Sequence, residues 1–408
     1  MRSLLLASGL MALACVEEGP VPEGSTEVLT EPLFAVVVRL QGEGGSAVVL
    51  LENPLTPTDL DLSNALPLPG NGAVFGHPLE PSTLFVFSGD TGVLTRFRIR
   101  GDRTFAADGE MAFTQLQTSL RFFSSNHFTI LSSTEAYLFD PVAGELRLWD
   151  PDAMVLRGRI VLARDLVPGP LLFPVVGFDQ HVVGDELFTT VAFANSIEDV
   201  ADRTSLVTVT DIKRGELSEI VAINTCGYVR HSWLTAEGDL LFGTDAFSTA
   251  VGVASEGQRS GPSCIMAFDP VTKVQRSTPV LAAEQVFDGA PVGNFIFVSD
   301  NQAWARVLDP SLLPQAALTT VEITGGPYWR WGFIDGFDDP TWTILDDRPV
   351  GTSFADPFDI GDVRYAVENA PNFEGSQLLR LNRDGTLTPG VRTDQTIRGL
   401  LPVGVPVP

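Results

Sequence analysis

The chain contains four histidines, His77, His127, His181 and His231. Neutral imidazole ligates transition metals and transfers protons near neutral pH, so these are the first residues to weigh for chemistry. No HxH or HxxxH pair places two of them on one face of an element. Their offsets to the strand that follows each are unequal, which predicts different depths in the fold. They read as separate polar residues meeting backbone or water, and neither a metal nor a cofactor is expected. A second stretch, YWRWGFIDGFDDPTW at 328–342, sets Trp329, Arg330 and Trp331 side by side. Aromatic faces around an arginine can stack on and pair with a planar anion. The simpler expectation is that Trp329 and Trp331 alternate on one face of an inner strand and pack against its neighbours. The aspartates that follow lack the ligand spacing of an EF-hand loop. Arg230 and His231 in VRHSW, and Arg398 in TIRGL, fall at related positions. The ligand-binding candidates are therefore His127, His181, Arg230, His231, Trp329, Arg330, Trp331 and Arg398.

Catalytic signatures do not appear. The chain has no GxSxG nucleophile elbow, P-loop, dinucleotide-binding GxGxxG on a strand–turn–helix, or CxxCH haem site. Acidic pairs are plentiful, but closeness along the chain does not establish a general acid and base. No catalytic residue is assigned, and a non-enzymatic role is favoured over a channel-centred hydrolase of lactonase type.

These residues must be positioned by short strands. From Leu33 onward, runs such as LFAVVV, STLFVF, SLVTV and FIFV are rich in β-branched, leucine and phenylalanine residues and are bounded by turn formers. No long segment has helical periodicity, so the class is all-β. An apolar strand ending in Asp or Asn recurs at Asn53, Asp102, Asp150, Asp211, Asp269, Asp309 and Asn382. Such residues bond their own backbone two positions on and so close hairpins. Seven units of about 40–60 residues, each with around four strands, predict a single seven-bladed β-propeller over 33–404. The fold alternative is two β-sandwich domains joined near Pro168–Val176. Unit one offers only three strands, so residues 395–403 are expected to supply its innermost strand by pairing with 33–40. That closure removes a free sheet edge.

Composition narrows the setting. The 408 residues carry 51 acidic against 26 basic side chains, a formal charge of −25, which argues against nucleic-acid partners. The 44% hydrophobic content excludes general disorder. No apolar run reaches the roughly 20 residues needed for a spanning helix. The first 14 residues, MRSLLLASGLMALA, read as a signal peptide. The cysteine that follows resembles the lipid-attachment position of a bacterial lipobox, so Cys15 is expected to carry a diacylglyceryl anchor. Val16 in place of aspartate points to the outer membrane of a Gram-negative cell. Residues 15–32 are acidic and read as a flexible tether. Cys226 and Cys264 remain as an even pair in an oxidising compartment, and a disulfide between them is expected.

The lipobox-like start, LFDPVAGELRLWDPDAMVLRGRIVL, the late WRWGF and SQLLRLNRDGTLTPGV together resemble the MxcI-like lipoproteins of myxochelin-type siderophore gene clusters. The resemblance covers most of residues 33–404 and rests on largely structural motifs. It implies an envelope lipoprotein, facing the periplasm or the cell surface, that binds or scaffolds and assists uptake of a siderophore or metal complex beside an outer-membrane receptor; a monomer is expected. A cell-envelope protein–protein adaptor is the further alternative. The resemblance supplies no catalytic residues; only Cys15 carries over.

Overall fold

A computed structural model describes residues 29, 32–40, 45–68, 72–116, 118, 123–162, 172–195 and 200–404. The expected signal peptide, Cys15 and all of the expected tether but residues 29 and 32 lie outside the described residues.

The strands form seven separate antiparallel sheets arranged as a β-propeller. In six of them the innermost strand comes first in the chain: Ala73–His77, Phe128–Ile130, Phe173–Val183, Val229–Leu234, Val292–Ser299 and Ala355–Ile360 for blades two to seven. Blade one departs from this order. Its sheet runs Leu66–Leu68, Ser46–Leu51, Leu33–Arg39 and then Thr396–Val403, so the last strand of the chain is its innermost. Leu33 faces Val403, Val36 faces Leu400 and Arg39 faces Thr396, with a bulge between Val37 and Val38. This is the closure expected from the missing strand of unit one. The outer strand of that unit starts a few residues later than LDLSNAL suggests.

The run LFAVVV is apolar at every position because each blade is packed on both faces. Successive side chains of a strand point to opposite sides. Leu33, Ala35 and Val37 pack with Val74, Leu84 and Val86 of blade two. Val36 and Val38 pack with Tyr365, Val367 and Leu378 of blade seven. The same rule produces a cluster between blades two and three, where Phe75, Phe85 and Phe87 meet Phe128 and Trp149. Phe75 stacks on Phe128 at 4.3 Å, and Trp149 meets Phe85 edge-on at 5.3 Å.

Most of the recurrent turn residues act as their chemistry requires. Asn53, Asp102, Asp150, Asp211, Asp269 and Asp309 each accept a backbone N–H two or three residues on. Five of those six close a third strand. Asp309 closes Gln302–Leu308, which is the second strand of blade six. The stretch after it forms a loop and a short helix, α1 being Ala246–Ala254 in blade five and α2 Thr320–Gly325 here. Trp329–Asp335 is therefore the third strand of its blade and not an inner strand, which corrects the expected location of Trp329 and Trp331. Their burial against neighbouring elements holds: Trp329 packs with α1 and α2, and Trp331 with blade seven.

Cys226, just before the inner strand of blade five, and Cys264, at the start of its third strand, are joined in a disulfide with their Cα atoms 5.4 Å apart. The approach is tight. A Cβ at Gly227 would lie 2.6 Å from the Cα of Gly261, so the two loops meet where neither carries a side chain.

Two outcomes follow from this architecture. Deleting residues 396–408 strips blade one of its innermost strand. The truncated chain should lose its cooperative thermal transition by circular dichroism and scatter light at concentrations where the full chain is clear; an unchanged melt would sink the closure. Replacing both Cys226 and Cys264 by serine should lower unfolding stability by about 2–4 kcal/mol in guanidinium titration.

Candidate functional site

The inner strands run side by side in one direction around the axis. Asn126 donates to the carbonyl of Gly177 and Thr129 meets Gln180, while Asp179 and His181 both meet Ser232. Their starting ends therefore share one mouth of the channel. A cavity of about 740 Å³ occupies the channel, lined from every blade except the sixth. That size suits a ligand of small-molecule dimensions.

The upper part of the cavity is basic and aromatic. Arg398 enters from blade one, Arg230 from blade five, and Arg39, opposite Thr396 in register, from the strand beside Arg398. Phe123, Phe178, Phe354 and Phe373 share the wall. Arg230 lies over the ring of Phe178, its Cζ 4.1 Å from the centroid. One of its nitrogens is 3.5 Å from Asp245, and its buried Nε makes no hydrogen bond. Asp245 also caps α1 by accepting the Phe247 N–H. Burial works against its ionisation, but His231, 3.8 Å away, and the charge of Arg230 hold its carboxyl below the usual range. Arg398 is 3.8 Å from Asp356 and 43% exposed, so its guanidinium reaches the lumen.

Deeper in the channel the charge reverses. Asp179 sits two residues further along than the level of Arg230, about 7 Å by strand rise. It accepts the Ser232 N–H at 3.0 Å. Arg364, on the second strand of blade seven, reaches across to Asp179 at 3.4 Å and also pairs with Asp359 of its own blade. Its guanidinium lies 5.6 Å from the ring of Trp233 in blade five. Arg364 is buried, whereas Asp359 exposes half of its side chain to the lumen. Burial within the narrow channel pushes the Asp359 carboxyl up to about 6; Arg364 opposes that rise and Asp179 adds to it.

Each histidine lies on or directly before an inner strand, but they do not converge. His77 accepts the Leu79 N–H through Nδ1, and His127 accepts the Ser124 N–H the same way. His181 Nε2 is 2.9 Å from Ser232 Oγ. His231 is fully buried, stacked on Phe178 at 4.8 Å and bonded to Asn294. Burial lowers the pKa of His77, of His181, and of His127 to about 4. Among the described residues no group of three His, Cys, Asp or Glu side chains is arranged to hold a metal.

Of the sequence candidates, Arg230 and Arg398 line the cavity together, and His231 backs Phe178 behind it. His127 and His181 flank it. Trp329, Arg330 and Trp331 lie apart from it, and their polar groups are engaged in the fold. Trp329 donates to the Ile323 carbonyl at 2.7 Å, Arg330 pairs with Asp309 at 3.0 Å, and Trp331 donates to Glu368 at 2.7 Å. Asp179, Asp359 and Arg364 were not foreseen. Arg364 and Asp179 are 185 residues apart, and no local pattern signals their pairing.

The sequence matches no protein-family profile and no curated protein. The fold defines a class: seven-bladed propellers with a ligand-sized axial cavity. Within it, the chain is similar to the solved structure of a putative 6-phosphogluconolactonase from Bacteroides fragilis, at 10% identity over 91% of this chain and 98% of that one, with a TM-score of 0.53. It is equally similar to a hypothetical selenium-binding protein from Sulfolobus tokodaii, at 11% identity over 93% of both chains and the same TM-score. These likenesses establish the shared propeller fold.

The buried histidines make stability depend on pH. The unfolded chain takes up a proton on His127 near pH 6.5, whereas the folded chain resists until about pH 4. Stability should therefore be full above pH 6.5 and fall across that window by up to about 3 kcal/mol from this residue. His127→Gln should flatten the acid limb of the stability profile measured by denaturant titration.

Proposed function

We propose that this protein is a non-enzymatic binding propeller whose axial cavity takes a small anion bearing an aromatic or apolar face. The observation that carries this reading is the gathering of Arg39, Arg230 and Arg398 among phenylalanines at one mouth, in a chain whose net charge is −25. Guanidinium groups held in a low-dielectric cleft attract anions strongly, and low-dielectric walls focus their field. Arg398 exposes 43% of its side chain and lies only 3.8 Å from Asp356, so its guanidinium is open to a ligand acceptor.

This chemistry supports the setting that the MxcI-like resemblance implies. A ferric catecholate complex is anionic and presents aromatic edges, so it belongs to the ligand class described. The reading includes a lipid anchor at Cys15, location at the outer membrane of a Gram-negative cell, and a receptor in that membrane as partner. Mass spectrometry of the protein purified from envelope fractions would test the anchor.

Binding is tested by calorimetric titration of the soluble chain with 1,5-naphthalenedisulfonate and with a ferric tris-catecholate complex. At least one should bind in a 1:1 ratio. Arg230→Ala and Arg398→Ala should each weaken that binding by roughly tenfold or more, since each removes a charge-assisted hydrogen bond. Failure of both probes to bind, or indifference to both substitutions, would overturn the reading.

A further inference from the structure

We infer that the cavity binds its anion together with a proton taken up at Asp359, so that affinity rises as the pH falls. The inference rests on the anion-binding reading above and concerns how that same site is regulated.

The geometry has three parts. First, Asp359 is an acidic group of the lower cavity with a large free surface, half of its side chain facing the lumen. An anion entering past Arg230 and Arg398 therefore meets it directly. Second, the neutralising charge is shared. Arg364 is buried and serves Asp359 and Asp179 at once, so two carboxylates divide one guanidinium. With both carboxylates ionised, the lower cavity carries one negative charge in excess, which repels the ligand. Protonating Asp359 removes that charge and leaves Arg364 wholly to Asp179, whose other oxygen is already fixed by the Ser232 N–H. Third, the remaining groups that face this site are already engaged by neighbours. The wall opposite offers His181, whose pKa burial depresses and which stays neutral above its ordinary range. Asp356, on the same strand, is paired with Arg398. The carboxyl whose pKa has moved up towards neutrality is also the most exposed of the three that line the cavity.

The direction of linkage follows. A bound anion disfavours ionised Asp359 and raises its pKa further above 6. Affinity is then greatest below pH 6, declines as the pH rises through the free and bound values, and levels off above both. By reciprocity, the proton strengthens ligand binding as much as the ligand strengthens proton binding. Removing one charge from a channel of this width is worth roughly five- to twentyfold in affinity.

The test uses 1,5-naphthalenedisulfonate, whose own charge does not change between pH 5 and 8. Calorimetry at pH 6.5 in two buffers of different ionisation enthalpy should show uptake of about half a proton per ligand. Affinity at pH 5 should exceed that at pH 8 by the factor above. Asp359→Asn should bind at pH 8 as tightly as the natural chain does at pH 5, with a flat pH profile. Binding that is independent of pH, with no proton taken up, would overturn this inference while leaving the anion site standing. A pH dependence that survives in Asp359→Asn would also overturn it, since the proton would then be taken up elsewhere. Absence of binding at every pH would overturn the anion site itself and the regulation with it.

Discussion

The pairing of Thr396–Val403 with Leu33–Arg39 is the contact on which the rest of the molecule depends. Each blade is a sheet packed on both faces, and no blade buries its apolar surface alone. Blade one is sandwiched between blades two and seven, and its two alternating sets of side chains serve a different neighbour each. If the last strand were withdrawn, the sheet edge at Val36 and Val38 would be bare. The faces of blades two and seven would lose their cover as well. Burial of this kind is worth about 25 cal/mol per Å² of apolar surface, so losing one interface threatens a margin of stability that is typically only about 5–15 kcal/mol. The closing strand also delivers Arg398 to the channel, so the ring and the site are completed by one element.

Polar groups between blades obey a stricter rule. Arg306 is fully buried between blades six and seven, yet it pairs with Glu368, donates to the carbonyls of Trp329 and Thr352, and lies over the ring of Trp331. Glu368 is held in turn by Trp331 and Arg348. A buried charge pair of this type contributes little net stability but is costly to break on one side. It therefore fixes how blade seven sits against blade six, beside the ring-closing blade. The arginines of the cavity differ in that respect. Arg230 and Arg398 line the open channel, and the guanidinium of Arg398 reaches the lumen with 43% of its side chain exposed.

Much of the architecture was legible because it is repetitive. The strand–Asp–turn unit is local chemistry, and Asp150, Asp211 and Asp269 act within three residues of themselves. The same locality explains the one misplacement. The hairpin at Asp309 has the chemistry of the others, yet it closes a second strand, and the insertion containing α2 pushes Trp329–Asp335 into third place. The spacing of 40 followed by 73 residues between turn residues was the trace of that shift. Arg230 and Arg398 were legible because they recur at similar points of inner strands. The Asp179–Arg364–Asp359 group was not, since strand register across the axis, and not sequence proximity, brings it together.

Closure by the final strand also has a consequence in time. A chain emerging from synthesis can assemble blades two to seven in order, each upon the last, while its first three strands pair with one another and lack their innermost neighbour. Arg39 is then already in place, but Arg398 and the wall formed by Leu400 and Leu401 arrive only with the closing residues. A chain interrupted before residue 396 lacks the strand that carries Arg398, Leu400 and Leu401, so its cavity wall stays incomplete however many blades it has built.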